Sequence, residues 1–186
     1  MYETENPIAI QSKRWLEASL LKLMKEKPFS KITIQEIAEQ AQLERRTFYR
    51  NFSSKEEILS FHIRRLSDEL VVSLLEEAAL TIPIVLRVFF EMAEKNKSFL
   101  LCLKENNLLM FLLTSFNDLL PSIHSLIEPK FSGRFENENI EYIFAFNTGG
   151  FWNILVKWIN GDFTHTPSEM AEIVHNLMTK TFPVSY

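Results

Sequence analysis

Glycine is scarce in this chain, with four among 186 residues. Turn-bounded runs of alternating apolar and polar residues are equally hard to find, which argues against a sheet protein and predicts an all-α fold. A single cysteine, Cys102, excludes an internal disulfide and fits a reducing cytoplasm. No apolar run is long enough to span a bilayer. The most apolar stretch, "SFLLCLKENNLLMFLLTSF", is interrupted by Lys104 and Glu105. The beginning, "MYETENPIAIQSKRW", lacks the apolar segment of a secretion signal. A cytoplasmic protein with no membrane partner is expected.

The residues of catalysis are missing in the same way. His62, His124, His165 and His175 are scattered, without the close His/Cys pairs of a zinc site. No phosphate-binding glycine loop, nucleophile elbow or paired-carboxylate arrangement is visible. The expectation is a protein that is not an enzyme, with no catalytic residue, no metal and no cofactor.

What is present is an uneven charge. The net charge is −4, yet the first 65 residues carry twelve Lys and Arg against nine Asp and Glu, while the rest carries eight against fifteen. A basic first third on an acidic body suggests that one end faces something anionic.

The hydrophobic pattern divides the chain into helices. The first, "PIAIQSKRWLEASLLKLMKEK", places Ile8, Trp15, Ala18, Leu21 and Leu23 near helical spacing and ends at Pro28. "TIQE" is a capping box, Thr33 with Glu36, opening a second helix whose apolar face is Ile34, Ile37, Ala38 and Ala41. "ERRTFYRNF" resumes a helix after the short connection "AQL", with Phe48 and Phe52 on one face. "SSKE" is read as a box with Ser53 as cap and Glu56 as its partner, starting a long helix through Ile58, Leu59, His62, Leu66, Leu70 and Leu74. Further helices are expected at about 83–95, 98–104 and 107–127, the last broken or kinked at Pro121. A long loop, "EPKFSGRFENEN", precedes an apolar helix at 138–159. Thr166, Pro167 and Glu169 mark the start of the last helix.

Two helices joined by a three- to four-residue turn and braced by a first helix form a DNA-reading helix-turn-helix. With Phe48 and Phe52 turned inward, Arg45, Arg46, Thr47, Tyr49 and Arg50 are left for the major groove and the phosphates. Arginine can grip guanine with two hydrogen bonds, and hydroxyls hold phosphates. Lys55, in the first turn of the next helix, adds a cation beside amides that already favour anions. Thr33 completes the set of DNA-binding candidates.

"ITIQEIAEQAQLERRTFYRNFSSKEEIL" resembles the N-terminal region of TetR-type transcriptional regulators, through its "IxxIAxxA" helix, its "TFYxxF" recognition helix and its "SKEEIL" helix start. The resemblance spans about residues 10–62. It implies an all-helical homodimer whose C-terminal domain senses a ligand or partner, and it places Thr47, Tyr49 and Lys55 on positions that usually touch DNA. This chain departs from the pattern at Gln42, where a glycine usually stands, and at Glu44, where Ser or Asn usually caps the recognition helix. "FNTGGFWNILVKWINGDFTHTPSEMAEIVHNL" resembles the end of a small TetR-type subgroup, the DhaS-like regulators, some of which answer to a protein co-regulator.

Helical spacing puts Ile140, Ile143, Phe144, Phe151, Ile154, Leu155 and Trp158 on one stripe and Ala145, Gly149, Trp152, Val156 and Ile159 nearly opposite. A helix apolar on both sides needs cover on both sides. The second stripe, with Ile173 and Leu177 of the last helix, is the expected dimer interface, a four-helix bundle across a two-fold axis. Phe89, Met92, Phe99, Cys102, Phe111, Asn147 and Phe151 are the candidates for lining an effector pocket, each also suited to plain core.

The expected organisation is a helix-turn-helix DNA-binding domain at 1–53 and a helical effector-binding and dimerisation domain at 54–186. The expected function is a repressor of transcription on an inverted-repeat operator in double-stranded DNA, modulated by a small-molecule or protein effector. The alternative is an activator or interaction module controlled by a protein partner.

Overall fold

The computed structural model describes residues 7–130 and 140–181, apart from the side chains at 140, 141, 143–145, 147, 180 and 181. Among these residues there is no strand, and nine α-helices carry the fold. They are α1 (Pro7–Glu26), α2 (Ile34–Gln40), α3 (Arg45–Asn51), α4 (Lys55–Glu76), α5 (Ile82–Lys95), α6 (Lys97–Glu105), α7 (Leu109–Ile127), α8 (Ile140–Asn160) and α9 (Pro167–Asn176). Short 3-10 turns at Phe29–Lys31 and Glu128–Lys130 link elements, and a π turn at Leu177–Thr181 follows α9.

Local chemistry explains most of the boundaries. Thr33 and Thr166 each close a reciprocal capping box, with Glu36 and Glu169. At the start of α4 the cap is Ser54, whose side chain accepts from the Glu57 amide, one residue later than the "SSKE" spacing suggests. Glu57 in turn accepts from the backbone N–H and hydroxyl of Ser53. Both serines are used, so choosing between them required the backbone direction. Helix α7 also corrects the expectation, running through Pro121 as one element.

The buried face of α1 is Leu16, Leu20, Leu23 and Met24, not the Ile8–Trp15–Ala18 stripe. Ile8 is 75% exposed and Trp15 49%. Polar Ser12, Glu17 and Ser19 share the buried face, which hides its period in the sequence. One buried cluster runs from Leu16, Ile37, Phe48 and Ile58 at the N-terminal end into Phe90, Leu103 and Trp158, without a break at residue 54. At its centre, Phe90 packs on Phe89, Phe151 and Trp158 with ring centroids 5.3 to 5.7 Å apart. A second cluster, including Leu74, Val88 and Ile127, fills the far end between α4, α5 and α7. Helix α9 lies along α5.

Candidate functional site

Helix α3 is placed by a turn and a buried aromatic pair. Helix α2 ends at Ala41, and Gln42 takes a left-handed conformation with φ of 56°. The Leu43 amide reaches back to the Ala38 carbonyl and the Gln42 amide to Glu39, the two bonds of a Schellman ending. Glycine is favoured at such a position, and a side chain there costs roughly 1–2 kcal/mol. Phe48 is fully buried and Phe52 nearly so, packing on each other and on Phe61.

The opposite face of α3 carries Arg45, Arg46, Tyr49 and Arg50, all exposed, with Thr47 half-buried. Arg45 donates to the Tyr49 hydroxyl at 3.1 Å and lies over its ring at 5.5 Å. The pair presents a cation and an aromatic hydroxyl as one unit. Exposed Arg14, Lys22, Lys25 and Lys31 add positive charge to the same N-terminal third. Glu44 begins α3 without a side-chain cap bond.

Two DNA-binding candidates have internal work. The Thr33 hydroxyl and amide both donate to Glu36, so Thr33 has no free proton for a phosphate oxygen. Lys55 donates to the Phe29 and Ile32 carbonyls at 2.7 and 2.9 Å and sits 4.6 Å from the Phe29 ring centre. It pins the segment before α2 onto the start of α4, keeping one N–H for other use. The hydrogen bond from Lys27, together with those from Thr33, holds the Glu36 carboxyl well below its usual range, at about 2.

Behind α3, a buried charged cluster ties α1 to α4. Glu17, 5% exposed, meets His62 Nδ1 at 2.5 Å and Arg65 Nε at 3.1 Å. Burial opposes the Glu17 charge, but hydrogen bonds and attraction from His62 and Arg65 outweigh it, leaving its carboxyl below the usual range. The sequence reading missed Glu17. A carboxylate on the apolar side of a helix, among leucines, was the available signal.

A cavity of about 90 Å³ lies in the C-terminal body. Its walls are α4 (Ile63, Leu66, Ser67, Leu70), α5 (Phe89, Met92, Ala93), α6 with its cap (Asn96, Leu100), α7 (Leu112, Leu113, Phe116) and α8 (Thr148, Phe151, Trp152, Leu155). No lining residue is charged. Phe89, Met92 and Phe151 are at the wall as expected. Phe99 and Cys102 are instead buried in the core, and Phe111 packs against it. Burial pushes the Cys102 thiol upward, and its Sγ lies 3.5 Å from the Met24 carbonyl. The Asn147 side chain lies outside the described residues.

The expected dimer stripe is displaced. Ile159 is fully buried and Trp152 lines the cavity, so neither faces outward as a seam. Val156 is half-buried, and the Ala145 side chain lies outside the described residues. The exposed side of α8 carries Tyr142, Phe146, Gly149, Gly150 and Asn153, roughly a quarter turn away from the expected stripe at about 100° per residue. A Cβ at Gly149 or Gly150 would meet nothing within 4 Å. Ile173 and Leu177 are exposed, as an outward face needs. The error came from giving Trp152 and Ile159 to a partner when the chain's own core takes both.

Among the described residues, no helix is long and apolar enough to cross a membrane, and no three His, Cys, Asp or Glu converge as a metal site.

Residues 18–60 match the family described as "Bacterial regulatory proteins, tetR family", and residues 81–180 match a family described as "Transcriptional regulator C-terminal region". Among solved structures, the fold is similar to "Dihydroxyacetone kinase operon activator DhaS", with a TM-score of 0.62 and 19% identity over 92% of this chain and 96% of that one. It is also similar to a tetR-family transcriptional regulator from Streptomyces coelicolor, with a TM-score of 0.59 and 16% identity over 90% of this chain and 81% of that one. No curated protein matches.

Proposed function

The chain belongs to the TetR family and is a DNA-binding transcriptional regulator, and from that premise we propose a cytoplasmic homodimeric repressor released from an inverted-repeat operator by an apolar effector. The observation that carries the reading is the pairing on α3 of exposed Arg45, Arg46, Tyr49 and Arg50 with buried Phe48 and Phe52. One face is anchored and the other is free to enter a groove. Residues 1–53 are the DNA-reading head and 54–186 the sensing and pairing body. Regulators of this family are generally not enzymes, and no enzymatic activity is assigned.

The outward face of α8 around Tyr142, Phe146 and Gly149, with Ile173 and Leu177, is the pairing surface. Pairing sets two α3 helices about one DNA turn, or a multiple of it, apart. The uncharged cavity favours a small, largely apolar guest over an ionic one. A guest that binds one head spacing better than the other shifts the population toward it and changes operator affinity.

The test is a gel shift and footprint on DNA upstream of the gene itself, followed by a reporter behind the protected site. A protected inverted repeat and a reporter that rises when the regulator is deleted are expected. A reporter that falls would make the protein an activator. No specific protection on upstream or genomic fragments would overturn the DNA-reading role and favour an interaction module.

A further inference from the structure

Helix α6 touches the cavity at one end and holds the head at the other. At its start, Asn96 and Leu100 are part of the cavity wall, with Asn96 Nδ2 donating to the Met92 carbonyl at 2.9 Å. At its end, the Asn106 carbonyl oxygen accepts from the Phe29 backbone N–H at 2.5 Å. Asn106 Nδ2 donates to the Cys102 carbonyl at 2.8 Å, which fixes the amide's orientation. The turn behind it is closed by left-handed Asn107 and by the Leu108 amide bonding to the Leu103 carbonyl. Asn106 is therefore held rigidly on α6. A helix of this length is a strut of about 14 Å.

Phe29 is a junction of the head. Its N–H is held from the body by Asn106, its carbonyl from α4 by Lys55, and its ring lies under the same ammonium. The 3-10 turn it begins leads directly into Thr33 and α2, and so to α3. Nearby, the Glu17–His62–Arg65 cluster fixes α1 to α4. The head thus has a charged anchor at α1 and a single neutral amide contact at Phe29.

We propose that Asn106 is the positioning residue that couples the cavity to the DNA-reading head, with α6 as the strut between them. This rests on the effector reading above. A guest pressing on Leu100 and Asn96 displaces α6 and withdraws the Asn106 oxygen from the Phe29 N–H. The Glu17 anchor stays, so the head turns about α1 without detaching, and α3 changes its angle to the body.

Amide hydrogen exchange in the full chain, without DNA, reads this directly. The Phe29 N–H reports the coupling, and the Leu43 N–H, bonded within the head to Ala38, reports head integrity. Asn106→Ala should speed exchange at Phe29 roughly tenfold and leave Leu43 unchanged. Leu113→Trp, on the α7 wall of the cavity, should speed Phe29 several-fold, again sparing Leu43. If Leu113→Trp disturbs Leu43, wild-type protein saturated with benzene as an apolar probe takes its place. Unchanged Phe29 exchange with the cavity filled, beside faster exchange in Asn106→Ala, would make Asn106 a plain tether and overturn the proposal. Failure of the wild-type protein to bind DNA would count against the regulatory reading alone, since exchange is measured without DNA.

Discussion

The head and the cavity wall are fastened by different means. In the head, α2 starts on the Thr33–Glu36 box, α4 starts on Ser54, and Lys55 pins the segment between α1 and α2. In the body, α5, α6 and α7 begin at Thr81, Asn96 and Leu108 with no side-chain cap bond. These three helices form much of the cavity wall and rely on apolar packing, rich in phenylalanine and leucine. Capped ends specify one geometry, whereas nondirectional apolar contacts allow helices to slide at modest cost. The contrast suits a rigid reader joined to an adjustable sensor. Helix α9 is the exception in the body, with its own Thr166 box.

That contrast can be broken by mutation. The largest effect is expected where the head's geometry and core coincide. Phe48→Ala should destabilise by about 3–5 kcal/mol, seen as a thermal midpoint lower by roughly 10 °C together with lost DNA binding. A smaller loss of stability would mean that α3 is not held by its aromatic anchor.

Arg46→Ala comes next. It should weaken operator binding by roughly 1–3 kcal/mol if the guanidinium reads a base, with dimerisation and thermal midpoint unchanged. Full affinity on retention of fold would remove Arg46 from the interface.

Caps sharpen the comparison further. Thr33→Ala should cost about 1 kcal/mol, while Thr81→Ala, at an uncapped start, should cost only a few tenths. Equal costs in chemical denaturation would erase the distinction between the two regions. The acid limb adds a direction. The Glu36 carboxyl is depressed, so its stabilisation is fully present above the ordinary glutamate range and is lost as pH falls toward about 2. Glu36→Gln should therefore be less stable than the wild type at neutral pH, with the gap closing in strong acid. A gap independent of pH would assign the effect to packing.

The smallest change expected is a gain. Gln42→Gly relieves the left-handed strain at φ of 56°, partly offset by glycine's greater freedom when unfolded, for about 0.5–1 kcal/mol of added stability. A loss would show that the glutamine side chain makes a compensating contact.

The head was legible in the sequence because its signals are local. Thr33 and Glu36 sit three apart, Phe48 and Phe52 four apart, and the arginines fall between them. The left-handed turn at Gln42 could be anticipated as a departure from glycine. The body was less legible because its questions are about neighbours. Trp152 and Ile159 have the spacing of an outward stripe, yet Ile159 is taken by the core and Trp152 by the cavity wall. Phe99, Cys102 and Phe111 have pocket chemistry but face other walls. Periodicity gives a helix two apolar sides without saying which one its own chain will cover. Lys55 was placed correctly at the start of α4, but its carbonyl partners on Phe29 and Ile32 are 26 and 23 residues away. The Asn106–Phe29 contact, 77 residues apart, has no local signature at all.

The central claim is that α3 is a DNA-reading surface, and the salt dependence of binding tests it most directly. Binding to the footprinted fragment would be measured across a salt series for the wild type and for a variant with Arg45, Arg46 and Arg50 all changed to alanine. The account predicts that wild-type affinity falls steeply with salt and that the variant binds more weakly with a shallower slope, by about one for each phosphate contact removed. Equal affinities and equal slopes for the two proteins would contradict it, because the arginines would then face solvent and not DNA.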